Sequence, residues 1–243
     1  MDFNQKLTLM TDAGRRCRTV SHFCGEGMTM RHVPAMLAAL LLLGGCAGTG
    51  KPPAQNNVVV EDVPTKEWQQ IASDADQDRI AHVGEAWSVA LAEARSRGSA
   101  KAIAAEGPLL EPDAALPRAA PPPGSYYCRV IKLGSQARRG PAFVAYKPFF
   151  CYVEAEGELL TIVKQTGSQR PAGRLYPDAD ERLVFLGTLS LGDEEAPLAY
   201  GEKAERDMVG IVERVAPFHW RLVIPFPRKE SRLDVFELVP VTP

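Results

Sequence analysis

RLVFLGTLSL, residues 182–191, decides the fold. Leu183, Phe185, Leu189 and Leu191 fall on one face of an extended chain, and Arg182, Thr188 and Ser190 on the other. Successive side chains on a strand point to opposite sides, so a period of two marks a strand with one face buried. The pattern recurs on both sides. YYCRVIKL (126–133), FFCYVEA (149–155) and ELLTIVK (158–164) precede it, and MVGIVERV (208–215), HWRLVIPF (219–226) and LDVFELV (233–239) follow. All are rich in the β-branched and aromatic residues that suit a pleated surface. Trp220, Leu222, Ile224 and Phe226 share a face opposite His219 and Arg221. GRLYP (173–177) and PLAYG (197–201) add two short candidate strands.

The connections carry turn residues, Glu156-Gly157, Pro177-Asp178 and Gly192-Asp193. Connections this short join antiparallel neighbours, because parallel strands need a long crossover. Residues 126–243 are therefore predicted to be seven to nine antiparallel strands in a β-meander, closed as a barrel or stacked as a sandwich. A small, partly closed barrel is the favoured form.

Upstream the period changes. In residues 67–107, Ile80, Val83, Trp87, Leu91 and Ala94 recur at spacings of three and four, the apolar stripe of a helix. Ser73 or Asp74 is the expected N-cap, and Arg95, Arg97 and Gly98 close the helix with positive charge and a glycine. A shorter helix over 99–105 stops before Gly107-Pro108. Helices this short seldom stand alone, so the pair forms a hairpin-like annex that docks on the strands, against one end or face of the barrel. The fold class is α+β. Residues 108–125 are a Pro-rich connector that can be neither a regular helix nor a central strand.

The N-terminus carries a different kind of signal. In MRHVPAMLAALLLLGGCAG (30–48), Arg31 and His32 precede 11 apolar residues, Val33 to Leu43. That run is too short to span a bilayer, which needs about 20 residues, and suits a secretory signal. Leu43-Gly44-Gly45-Cys46 resembles the lipobox of bacterial lipoproteins, in which the cysteine is acylated and becomes the new N-terminus. The expectation is a leader or mis-start over 1–29, a signal peptide over 30–45, lipidation of Cys46 and a flexible tether over 46–66. Such a tether would hold the domain roughly 25 Å from the lipid on average. Ala47 is not the aspartate that retains such proteins at the inner membrane, so the expected location is the periplasmic face of the outer membrane.

Two cysteines remain in the exported part, Cys128 and Cys151. An oxidising compartment favours a disulfide between them over two free thiols, and two cysteines alone lack the partners zinc needs. No metal site is expected. Asp74, Asp76, Asp78 and Glu85 match positions of a calcium loop, but Arg79 stands where that loop needs glycine. The 243 residues are 45% hydrophobic and 24% charged, with a net charge of −2, which gives no electrostatic footprint for nucleic acid.

Catalytic patterns are sparse. No G-x-S-x-G, phosphate loop or dinucleotide fingerprint occurs, and no cofactor is expected. A Lys164–Ser168 dyad, and a carboxylate pair drawn from Glu213, Glu230, Asp234 and Glu237, are the hydrolase alternatives. No residue is assigned a catalytic role. One basic cluster stands out as a candidate binding site: Lys164, Ser168, Gln169, Arg170 and Arg174 from one hairpin, with Arg214 and Arg221 from later strands. Arginine forks suit carboxylates and phosphates; the competing reading has them pairing with acids to staple neighbouring strands.

CRVIKLG (128–134), KQTGSQRPAGRLYPD (164–178), RLVFLGTL (182–189), LAYG (198–201), GIVERV (210–215), WRLVIPFP (220–227) and LDVFELVP (233–240) together resemble an uncharacterised family of exported bacterial proteins. That family is known mainly from Alphaproteobacteria and catalogued only as a domain of unknown function. The resemblance covers about residues 68–240. It implies export and domain limits, and no reaction. The expectation is a non-catalytic binding or interaction module of the cell envelope, held to the membrane by lipid, with an envelope protein or a small ligand as partner. A barrel-type inhibitor of a lysozyme or protease is the alternative, followed by an envelope hydrolase.

Overall fold

The computed structural model describes residues 67–192, 194 and 196–241. The expected leader, signal peptide, Cys46 and tether lie outside the described residues. Nine strands follow the helical segment: β1 (Gly124–Leu133), β2 (Phe143–Ala145), β3 (Phe149–Glu156), β4 (Leu159–Lys164), β5 (Gln169–Ala179), β6 (Arg182–Leu191), β7 (Asp207–Ala216), β8 (His219–Pro225) and β9 (Leu233–Pro240). From β3 to β9 each strand pairs with the next. β1 pairs antiparallel with β3 along one edge and with β9 along the other. The sheet therefore closes on itself as an eight-stranded up-and-down barrel, and β2 extends the β3 edge of β1. Closure leaves no free edge in the ring, the most complete protection against edge-to-edge association.

The alternation in the sequence sorts side chains between two cores. Tyr126, Val153, Ile162, Leu175, Phe185, Val212, Trp220, Leu222 and Leu238 fill the lumen. Ile131, Leu133, Val184, Leu186, Val209, Ile211, Val223, Leu233 and Val235 point outward and pack under the helices. Strands β6 to β8 are thus buried on both faces along much of their length. That is why their sequences read as near-continuous apolar runs through LVFLG, GIV and LVI.

The covering helices are α1 (Asp74–Ala81), α2 (Val83–Ala94) and α3 (Ala100–Ala105). Ser73 is the N-cap of α1, its Oγ accepting the Asp76 N–H at 3.3 Å. The apolar stripe expected to be continuous breaks at His82, whose φ of −103° and ψ of 20° separate α1 from α2. Gly98, at φ 89°, turns the chain between α2 and α3. Ile80, Trp87, Leu91 and Ala94 are buried all the same. α2 lies against β1, β8 and β9, and α1 against β7, so the annex covers the barrel wall from outside and does not cap an end.

Several strand boundaries differ from the reading of the sequence, and Pro177-Asp178, expected to be a turn, lies inside β5 beside a bulge. β5 starts at Gln169, four residues before the GRLYP segment expected to be a strand. Pro171 fits there because β4 pairs with β5 only from Ala172 onward, so no β4 carbonyl waits for the missing N–H. PLAYG is no strand; its Leu198 carbonyl accepts a hydrogen bond from the Thr188 hydroxyl at 2.8 Å and joins no ladder. β2, three residues long, carries too little pattern to be read.

One end of the lumen is filled. Trp220 meets Tyr126 edge to face with ring centres 6.2 Å apart, and the Tyr126 hydroxyl donates to the Pro122 carbonyl. Beside them Cys128 of β1 and Cys151 of β3 form a disulfide, with Cα atoms 5.9 Å apart. In the chain-entropy model a loop of this size contributes about 3 kcal/mol.

Candidate functional site

The opposite end of the barrel is open. Here the inward positions of β1, β4, β5, β6, β7, β8 and β9 surround a cavity of about 330 Å³. Its wall is apolar, with Val130, Pro171, Leu189, Met208, Ile224 and Phe236 facing in. Its polar groups include Lys132, Lys164, Gln169 and Asp234, and residues 227–230 form part of the rim. An eight-stranded barrel has an interior just wide enough for packed side chains or one small ligand. The two ends of this lumen show both outcomes.

The charges are unevenly satisfied. Lys132 Nζ donates to Asp234 Oδ2 at 2.8 Å and stands 3.3 Å from Glu230 Oε2. The Ser231 hydroxyl also donates to Asp234. Burial pushes the Asp234 carboxyl above the usual carboxylate range, against the pull of Lys132 and Ser231. Burial pulls Lys132 down, but Asp234 and Glu230 outweigh it and its ammonium is held above the ordinary value. Lys164 differs. Its Nζ lies 4.3 Å from the centre of the Phe149 ring. Burial lowers its pKa, and the nearby Arg170 and Lys132 lower it further.

The seven residues of the basic cluster do not share one mouth. Lys164 and Gln169 line the cavity. Ser168 is exposed on the β4–β5 turn, where its carbonyl accepts the Gly192 N–H at 2.9 Å. The Arg170 guanidinium donates to the carbonyls of Gly167, Gly192 and Glu194, tying the β4–β5 turn to the loop after β6. Arg174 points outward and pairs with exposed Glu156 at 2.6 Å. Arg214 donates to the Pro117 carbonyl at 2.7 Å and holds the Pro-rich connector to β7. Arg221 is fully buried beneath the annex. It meets Glu213, directly opposite on β7, at 2.7 Å. It also donates to the carbonyls of Leu109, Glu111 and Pro112 and lies under the Trp87 ring.

The catalytic alternatives are likewise dispersed. Lys164 faces the Phe149 ring inside the lumen, whereas Ser168 sits in solvent on the turn. Glu213 is engaged on the outer wall by Arg221, and Glu237 there by Arg129 and His219. Asp234 faces inward, with Glu230 at the rim. His219 is half-buried on the outer wall against Glu237 at 2.8 Å. Asp74, Asp76 and Asp78 lie on α1, and no cluster able to hold a metal ion occurs among the described residues. Lys132 was not singled out from the sequence. Its signal was present, since Cys128, Val130 and Lys132 share a face, which puts a cation on an otherwise apolar inward row.

A family model described as a domain of unknown function, DUF4893, matches residues 68–238. The chain belongs to the DUF4893 family. No curated protein and no solved structure matches it. The DUF4893 match runs from Trp68 through most of β9, so the annex and the barrel are parts of one family domain.

Proposed function

We propose that this DUF4893 protein is a lipid-anchored lipoprotein on the periplasmic face of the outer membrane, and that its barrel binds a small ligand without transforming it. The observation that supports the binding role is the open end of the lumen, a cavity of about 330 Å³ with an apolar inner wall and charged side chains both on that wall and around its mouth. Ligand pockets have this make-up, a mostly apolar wall with a small number of placed polar groups. Support for the anchor comes from residues 30–48, where a basic flank, an apolar core and a lipobox-like Leu-Gly-Gly-Cys occur in order.

Two expected results test the two halves. Cys46→Ser abolishes incorporation of labelled fatty acid and releases the protein from membranes; continued labelling overturns the anchor. For the lumen, native mass spectrometry of protein taken from envelopes shows a small-molecule adduct. Leu189→Trp fills the cavity and lowers that occupancy by about tenfold, since loss of buried apolar contact on this scale is worth over 1 kcal/mol. Equal occupancy in the variant overturns the lumen as the site.

A further inference from the structure

One half-buried cation of the cavity has no ion pair among the described residues. Six cationic side chains and four acidic ones line it, and two acids outside the lining, Asp76 and Glu194, each hold one of the cations. Most of these groups are already engaged. Lys132 is held by Asp234 and Glu230, Arg206 by Glu194, and Arg79 by Asp76. Asp207 accepts the Gly201 N–H at 3.0 Å. Arg228 and Lys229 lie at the rim, toward solvent. Lys164 remains, half-buried on the inner wall, with an aromatic ring beneath it and no acid in any ion pair found among the described residues. A half-buried ammonium in an apolar cup has lost part of its hydration, and the face of one ring replaces only part of it. An anion arriving from solvent supplies the missing partner through a charge-assisted hydrogen bond.

The rest of the cavity sets the shape of that anion. Val130, Leu189, Met208 and Phe236 offer apolar surface in the same lining as the ammonium, and Met208 can adapt to varied shapes. A volume of about 330 Å³, at about 30 Å³ for each water-sized unit, has room for roughly ten non-hydrogen atoms. We propose that the open end of the barrel binds a small amphiphilic carboxylate, its head group on Lys164 and its hydrocarbon body against Val130, Leu189, Met208 and Phe236. This rests on the reading of the lumen as a ligand site and specifies its ligand class. A single half-buried ammonium, with the rim cations Arg228 and Lys229 left in solvent, favours a monoanion over a phosphate dianion.

Octanoate, with about ten non-hydrogen atoms, matches the estimated capacity. The experiment titrates the full-length protein with octanoate, octanol, octylamine and octyl phosphate, and follows the methyl signals of Met208 and Ile224 by NMR. Octanoate is expected to bind at least about tenfold more tightly than octanol or octylamine, the ratio a charge-assisted hydrogen bond provides, and more tightly than octyl phosphate. Lys164→Met is expected to remove that advantage and Lys164→Arg to keep it. If Lys164→Met fails to fold, the ranking of the four probes on the unaltered protein, with Lys164→Arg, decides. Octanol binding as tightly as octanoate overturns the anion and leaves the lumen as a site. Octyl phosphate binding most tightly overturns the carboxylate. Failure of all four to move the lumen signals overturns the amphiphile and the lumen site together.

Discussion

Arg221→Met is expected to destabilise the protein by about 3–5 kcal/mol, a large part of the stability of a domain this size. The guanidinium is fully buried, and it organises two parts of the fold at once. Across the sheet it meets Glu213 at 2.7 Å. Outward, its remaining N–H groups satisfy carbonyls of the segment between α3 and β1, at Leu109, Glu111 and Pro112. Methionine replaces the apolar stem and none of these bonds. It leaves a buried carboxylate without a counter-charge and several carbonyls without a donor. Urea unfolding followed by tryptophan fluorescence measures the loss, and a change under about 1 kcal/mol would show that water takes over the role of the guanidinium. Adding Glu213→Leu to Arg221→Met should recover part of the stability, because removing both charges of a buried pair is tolerated far better than removing one.

Gly187→Val is expected to prevent the native barrel from forming, at a cost of about 3 kcal/mol or more, above the usual range for overpacking. Gly187 on β6 faces Gly173 on β5. A Cβ on Gly187 would stand 2.3 Å from the Ala172 carbonyl oxygen, 2.5 Å from the Phe185 ring and 2.8 Å from the Gly173 Cα. Two of those three obstacles are backbone of the neighbouring strand, which cannot move aside without breaking the β5–β6 ladder. The readout is loss of dispersed, native-like amide signals by NMR together with dye binding by exposed apolar surface. A variant with a native spectrum and an unchanged urea midpoint would mean that the two strands separate here without penalty.

The strands were legible because alternation reports burial directly. RLVFLGTLSL was bounded to the residue, and the inward row of Leu183 and Phe185 was correct. Alternation also placed Arg221 opposite Trp220, but it cannot say whether the outer wall is covered. That depended on where the stripe of Ile80, Trp87, Leu91 and Ala94 would dock. Once the annex lay over β8, an outward arginine became a buried one. The cavity was harder to read for a related reason. Its lining comes from the ends of seven strands, and which inward residues share a level follows from the register of closure, not from any one segment. Lys164 stands out in the sequence as part of a basic hairpin; its different role from Arg170 and Arg174 follows from its pointing inward while they do not. β5 begins at Gln169, ahead of the GRLYP strand legible in the sequence, because Pro171 argues against pairing unless one neighbour has already ended.

The pairing of β1 with β9 also sets an order of events. Residues 126–133 find their partners at 233–240, about a hundred positions later in the chain. A ring joined by its first and last strands has no complete intermediate. While the chain is being made, every shorter version presents two bare edges, one on β1 and one on the newest strand, each a row of unpaired amides and carbonyls. The final segment therefore acts as the latch of the whole assembly, and such distant pairing folds slowly. A protein built this way depends on being kept apart from its own copies until residues 233–240 arrive.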